Sequence, residues 1–450
     1  MRSLARRSFV GTVAGAAALA LWLTGCTAGD ESSGPVGGEG CEAFADYGDL
    51  SGKSISVYTN ITEPEDQQYL DTFAPFEECT GATVDLESSR DFEAQLTVRI
   101  QGGTPPDIAL IPQPGVLASV VRSGAAKPAP QSVVDNVDQY YSADWKAYGT
   151  VDGTFYAAPS GAFVKSIVWY SPTVFSANGY EVPQTWEELI ALSDQMVADG
   201  IKPWCAGISS GTATGWPLTD WLEDIIMRQQ GVDFYDQWVA HDVPFNDPKV
   251  ADSLDELGAI LKNPEYVNGG IGDVSSIAST TFQDAGLPVA SGQCGMYHIG
   301  DFYGSIFPQG TTIAEDGDVF AFALPVWEAG DSMTTEVGGE FATAFSDRPE
   351  VVAFQTYLTS PEAANAQAAS TTTSRVSPNS GVDASLYPSP VSKLSAETLT
   401  DPSAVVRYDG SDLMPAAVGS GSFWTQITNW ITGQSTRDTL DAVESSWPAN

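Results

Sequence analysis

The hydrophobic positions of this chain repeat with two periods, and the periods alternate in a regular order. Ser54–Thr59 (SISVYT) switches between polar and apolar residues, as a strand with one buried face does. Tyr69, Leu70, Phe73 and Phe76 then recur at helical spacing behind Thr62 and Pro64, with Pro75 expected to kink the helix and Gly81 to end it. Thr83–Leu86 predicts a second strand. Asp91–Ile100 predicts a helix with Phe92, Leu96 and Ile100 on one face, closed by Gly102 and Gly103. Asp107–Ile111 predicts a third, buried strand that runs into Gln113. Strand, helix, strand, helix, strand is the rhythm of a parallel α/β sheet, where ligands sit at the carboxyl ends of strands.

Beyond this unit, Gly153–Pro159 reads as a turn and a strand, and Ser166–Tyr170 (SIVWY) as an apolar strand. Thr185 and Trp186 open a helix after Pro183 that buries Leu189, Leu192 and Met196. Helices also fit Lys249–Leu261 and Pro349–Ala369, and strands fit Gly292–Tyr297 and Phe320–Pro325. One stretch, Lys202–Ile226, combines three tryptophans, a cysteine, a Gly/Ser/Thr loop and, from Asp220, a helix start. Trp221, Leu222, Ile225 and Ile226 give that helix an apolar face. Indole faces beside a carboxylate suit a sugar, whose C–H face stacks on the ring while acidic oxygens accept from its hydroxyls. Core filling by Trp216 and Trp221 is the plain alternative.

Length and charge narrow the classes. With 450 residues and 42% hydrophobic content the chain supports two domains. A formal charge of −39, from 58 acidic and 19 basic residues, argues against nucleic acid and against a polybasic membrane patch. The acids are scattered, as on a solvated surface. Arg2, Arg6 and Arg7 precede an apolar run, Phe9–Leu23, and then Leu23-Thr24-Gly25-Cys26. This reads as a signal peptide (1–25) with a lipobox and Cys26 as the lipidated residue, although Arg6-Arg7 also fits a twin-arginine signal. A tether follows (26–49), so membrane contact is expected through the lipid only. Four cysteines remain, Cys41, Cys79, Cys205 and Cys294. They allow three pairings, of which we favour Cys41 with Cys79 and Cys205 with Cys294. A zinc site lacks CxxC spacing and has only His241 and His298 to draw on, and no EF-type calcium loop is present.

Several segments fall in a known order: TPPDIALI (104–111), DGTFYAAPSG (152–161), WYSPTVFSANGYEVPQTWEEL (169–189), ASGQCGMYHIGDF (290–302), FALPVW (322–327) and a Gly-Gly pair followed by a helix (338–359). From about residue 50 onward the chain resembles family 1 extracellular solute-binding proteins, the lipoprotein receptors of sugar-importing ABC transporters. RDFEAQLTVRIQGG (90–103) and the Trp-rich block are similar to the α-glucoside branch, whereas SIASTTF (276–282) and the tail beyond Leu394 match nothing diagnostic.

The resemblance implies a two-lobed, type II periplasmic-binding-protein fold, each lobe a largely parallel sheet flanked by helices. Lobes of 50–164 with 326–373 and 165–325 with 374–450 would be joined near Val164–Ile167, Pro325–Trp327 and Ser370–Arg375. A monomer clamping an α-glucoside and delivering it to a permease is implied, without cofactor and without catalysis. Within it, Phe302 would stack on the sugar beside Asp301, joined by Trp216, Asp220 and Trp221. Asp91, Phe92, Gln113, Lys165, Glu340 and Arg375 complete the expected site. Asp91 and Asp220 also suit helix caps, and Glu340 with Arg375 a structural ion pair. Two enzyme readings compete. Gly207–Gly211 fits G-x-S-x-G but with no clear strand before it, and Asp220, Asp301 and Glu340 suggest a secreted glycoside hydrolase.

Overall fold

The computed structural model describes residues 40–372, 374–400 and 405–448. The segment read as a signal peptide, Cys26 and most of the expected tether lie outside the described residues. Two sheets with flanking helices form the body. In the first, Ser54–Thr59 pairs in parallel with Thr83–Ser88 on one side and Ile108–Ile111 on the other. The long strand Thr334–Ala344 runs antiparallel to Ile108–Ile111 and Ala157–Val164, and parallel to Val405–Tyr408. The second sheet has the order Phe320–Ala323, Ile167–Tyr170, Cys294–His298, Lys202–Cys205, with only the last pair parallel. Both sheets are therefore mixed, where the opening rhythm predicts largely parallel ones. Ile167–Tyr170 arrives from the opposite sheet and runs against both its neighbours, and Thr334–Ala344 does so against Ile108–Ile111 and Ala157–Val164.

Three short passages join the sheets. Lys165 and Ser166 separate Ala157–Val164 from Ile167–Tyr170. A second passage leads from Phe320–Ala323 to Thr334–Ala344, and a third from Val405–Tyr408 into Gly410–Leu413. That last turn is clasped by Glu223 on helix Trp216–Gln229, whose carboxylate accepts from the Gly410 and Ser411 amides. Residues 374–376 stay with the first sheet: Gln68 Oε1 accepts from the Ser374 and Arg375 amides, and Val376 bridges Ala162.

Most elements follow the hydrophobic pattern, and the departures have local causes. Helix Gln67–Thr80 runs through Pro75 and ends at Gly81, whose φ of 75° suits only glycine comfortably. Pro349–Ala369 divides into Pro349–Leu358 and Pro361–Ala369, because Pro361 opens a new helix capped by the Ser360 hydroxyl. The helix expected from Asp220 begins at Trp216, with Pro217 in its first turn. Gly338 and Gly339 sit inside a strand, not a turn. A Cβ on Gly338 would lie 2.5 Å from the Phe163 ring, and one on Gly339 2.5 Å from the Gly161 carbonyl. Both favoured disulfides are present, Cys41–Cys79 and Cys205–Cys294, with Cα separations of 5.4 and 5.8 Å.

Candidate functional site

A cavity with about 790 Å³ of empty space, partly open to solvent, is lined by residues of the first sheet and of loops and helices from both halves of the body. Its apolar wall comes from ring edges and faces set against each other. Trp216, at the first turn of its helix, meets Phe282 at 5.1 Å and Phe302 at 6.0 Å between centroids, and Phe302 meets Phe163 edge-on at 5.4 Å. Such a wall offers a sugar ring a surface to stack on.

The polar floor has two ion-paired centres. Arg375 Nε donates to both Glu340 oxygens at 2.8 and 3.0 Å, and its Nη1 donates to Glu65 Oε1 at 3.3 Å. Tyr69 Oη donates to Glu340 Oε2 at 2.8 Å, and the guanidinium lies 4.6 Å over the Phe163 ring. Burial would lower the Arg375 pKa, but Glu340 and Glu65 hold it above the ordinary arginine value. Glu65 itself is pushed up by burial, against the pull of Arg375.

The second centre joins the passages between the sheets. Lys165 Nζ donates to Asp220 Oδ1 at 2.9 Å and to Asp409, and lies 3.8 Å from Glu336 Oε1. Lys165 and Asp409 sit on crossing segments, and Glu336 lies near the start of the strand that the remaining crossing feeds. Burial works against the ammonium, yet Asp220, Asp409 and Glu336 hold its pKa well above the usual lysine value. Burial pushes Asp220 up against the pull of Lys165, and drives Glu336 and Asp412 well above the carboxylate range.

Of the residues expected from sequence, Gln113, Lys165, Trp216, Phe302, Glu340 and Arg375 line this cavity together. Phe92 is instead fully buried against Tyr58, with ring centroids 4.9 Å apart, and Asp91 caps the same helix on its exposed side without a side-chain capping bond. Trp221 shares the apolar face of its helix with Leu222, Ile225 and Ile226 and packs in the core against Trp204 and His298 instead of lining the cavity. Asp220 stands behind the lining as a partner of Lys165. Asp301 is buried at the start of a short 3₁₀ turn, where desolvation pushes it up to about 7.

Sequence reading passed over Glu65, Arg90, Glu93, Phe163, Phe282, Gln283, Asp409 and Trp424, all of which line the cavity. Glu93 follows the buried Phe92 by one residue and so faces a quarter-turn away, a signal that helical phase carries. Phe282 ends SIASTTF and Gln283 follows it, and Asp409 and Trp424 lie in the tail, where no motif points to them.

The enzyme readings meet specific obstacles. A strand, Lys202–Cys205, does precede Gly207–Gly211, contrary to expectation, but a 3₁₀ turn follows, and the Ser209 amide is bonded to Thr280. Both histidines are engaged with carboxylates, His241 with Glu444 and His298 with Asp224. Of Asp220, Asp301 and Glu340, offered as a glycosidase acid and base, Asp220 and Glu340 are each tied to a cation, and Asp301 is not among the residues lining the cavity.

Comparison with known proteins agrees with this architecture. Residues 59–365 match the family described as bacterial extracellular solute-binding protein. The chain is 37% identical over 411 residues to the osmoprotective compounds-binding protein GgtB of Synechocystis sp., covering 91% of this chain and 96% of the relative. It is 36% identical over 417 residues to the alpha-glucosides-binding periplasmic protein AglE of Rhizobium meliloti, covering 90% and 89%. The solved bacterial solute receptor AcbH superposes with a TM-score of 0.72 at 22% identity, covering 88% of this chain and 97% of that one. No described helix is long and apolar enough to cross a membrane. By its motifs, its two-lobed fold and the extent of these matches, the chain belongs to the bacterial extracellular solute-binding protein family.

Proposed function

We propose that this protein is the receptor of an ABC importer. It captures a neutral α-glucoside of the maltose, trehalose, sucrose or glucosylglycerol type between its lobes and delivers it to the permease. It acts as a monomer outside the cell, anchored through lipid on Cys26. The carrying observation is one cavity in which an aromatic wall (Trp216, Phe302, Phe163) faces an ion-paired floor (Arg375–Glu340, Lys165). The names of the two relatives above, one binding alpha-glucosides and the other osmoprotective compounds, support the same reading. We assign 50–164 with 326–373 to one lobe and 165–325 with most of the tail to the other. Ser374, Arg375 and Val376 go with the first lobe, because their contacts are with Gln68, Glu340 and Ala162, and so does strand Val405–Tyr408, which pairs with Thr334–Ala344.

Titration calorimetry with the four glucosides tests the reading. Micromolar or tighter binding of one of them, with the sugar recovered intact, is the expected result. Released glucose would establish the hydrolase, and failure to bind any of the four would reject the glucoside receptor.

A further inference from the structure

Five buried polar atoms on residues of the cavity lining have no hydrogen-bond partner among the described residues: Asn60 Oδ1, Glu93 Oε2, Gln113 Oε1, Gln283 Oε1 and Trp424 Nε1. The indole N–H is a donor, and the other four are acceptors. A buried acceptor left unpaired is destabilising, so whatever fills this space gains most by bringing donors. For two of the four the chemistry is settled by a neighbour. Gln113 Nε2 donates to Glu93 Oε1 at 3.2 Å. Turning that amide over would set its carbonyl against the carboxylate, so Oε1 is the unpaired end of this cavity-lining side chain. Glu93, with one oxygen taken by Gln113, presents the other as a second acceptor.

The two residues come from different elements and converge by fold. Glu93 lies in the first turn of helix Phe92–Gln101, and Gln113 follows the carboxyl end of strand Ile108–Ile111 as the cap of the next helix. Across the cavity the second lobe closes over them. A Cβ on Gly211 would stand only 3.0 Å from the Arg90 carbonyl, which shows how closely the Ser210–Ala213 loop rests on the Arg90–Asp91 turn. The charged groups near Glu93 are Asp91 and Arg90 on its own chain segment, with Tyr58 beneath.

We propose that Glu93 and Gln113 form a twin-acceptor clamp that selects the ligand by two hydroxyl donors, so that the end of the glucoside held by the first lobe is an unsubstituted, uncharged diol. This rests on the receptor reading and adds to it the residues that decide specificity. Sugars carrying a carboxylate or phosphate at that end meet the Glu93 charge, and O-methyl or deoxy analogues leave an acceptor unpaired.

The clamp also has a proton signature. Burial raises the Glu93 pKa in the free protein, and Gln113 lowers it only in part. A sugar hydroxyl donating to the carboxylate favours the ionised form, so binding expels the proton and affinity falls as pH drops through the free-state value.

The test is calorimetry on the full chain with maltose, trehalose, sucrose and glucosylglycerol, from pH 4.5 to 8. For the tightest of them, Glu93→Gln is expected to weaken binding about 10- to 100-fold at pH 7.5 and to flatten the acid limb of the affinity profile. Unchanged affinity in E93Q beside a wild type that binds overturns the clamp and leaves the receptor reading standing. A loss of affinity with the acid limb intact also overturns it, since Glu93 would then only position Gln113. A wild type that binds none of the four sugars overturns both. Should E93Q fail to fold by its melting curve, Gln113→Leu carries the same comparison, with about a 10-fold loss expected.

Discussion

Replacing Lys165 by Met isolates the charge balance at the junction of the two sheets. The ammonium donates to Asp220 at 2.9 Å and to Asp409, with Glu336 at 3.8 Å, and each of these four side chains is 4% exposed or less. Without the cation, three carboxylates share a dry site and must take up protons or draw in water. Removing one partner of a buried ion pair typically costs about 3–5 kcal/mol, whereas removing both is far less harmful. Unfolding entropy of about 2.1 cal mol⁻¹ K⁻¹ per residue amounts to roughly 0.9 kcal mol⁻¹ K⁻¹ for a chain of this size, so the midpoint should fall by about 3–6 °C. Differential scanning calorimetry at pH 7, with far-UV circular dichroism to confirm the fold, measures this. The deficit should widen at pH 8.5, because holding the acids protonated costs about 1.36 kcal/mol more per pH unit for each group involved. Adding Asp220→Asn should recover roughly 1–3 °C, since it removes a carboxylate that has lost its counter-ion. A single-variant midpoint within 1 °C of wild type, or a double variant no more stable than the single, would refute the reasoning.

Other outcomes follow from the same geometry. Arg375→Met should destabilise by about 3–5 kcal/mol, because Glu340 and Glu65 lose their shared guanidinium, and pairing it with Glu340→Gln should restore part of the loss on a denaturant curve. Trp216→Ala should weaken α-glucoside binding about 10-fold or more with little change in melting temperature, since the indole is only half-buried at the cavity wall; equal affinity by calorimetry would remove it from the site. Stability should decline as pH rises from about 4 to about 7. Asp301 holds its proton up to about 7 when folded but only near 3.8 when unfolded, so the folded state binds more protons throughout that window and loses ground as they leave. A midpoint that rises across this range would contradict that, and Asp301→Asn should flatten part of the slope.

Period and punctuation along the chain determine a good deal by themselves. Ser54–Thr59 shows its strand by alternation, Trp186–Ala198 its helix by Thr185 and Trp186 after Pro183, and the four cysteines beyond Cys26 the number of their bridges by an even count. The first two signals are local, because each arises from a free-energy preference expressed within one turn or one pleat. Thr334–Ala344 carries no such signal. All eleven of its residues are buried, so no alternation survives, and its Gly-Gly pair, which reads as a turn, is demanded by Phe163 and Gly161 pressing from the next strand. The site divides in the same way. Gln113 and Trp216 stand where a strand ends and a helix begins, positions that a pattern can mark. Glu336, Asp409, Asp412 and Trp424 reach Lys165 or the cavity only because the chain crosses between sheets several times and returns from its far end. Contacts between residues hundreds of positions apart are chosen by packing and by the cost of leaving buried charge unmatched, and neither is written in any single stretch.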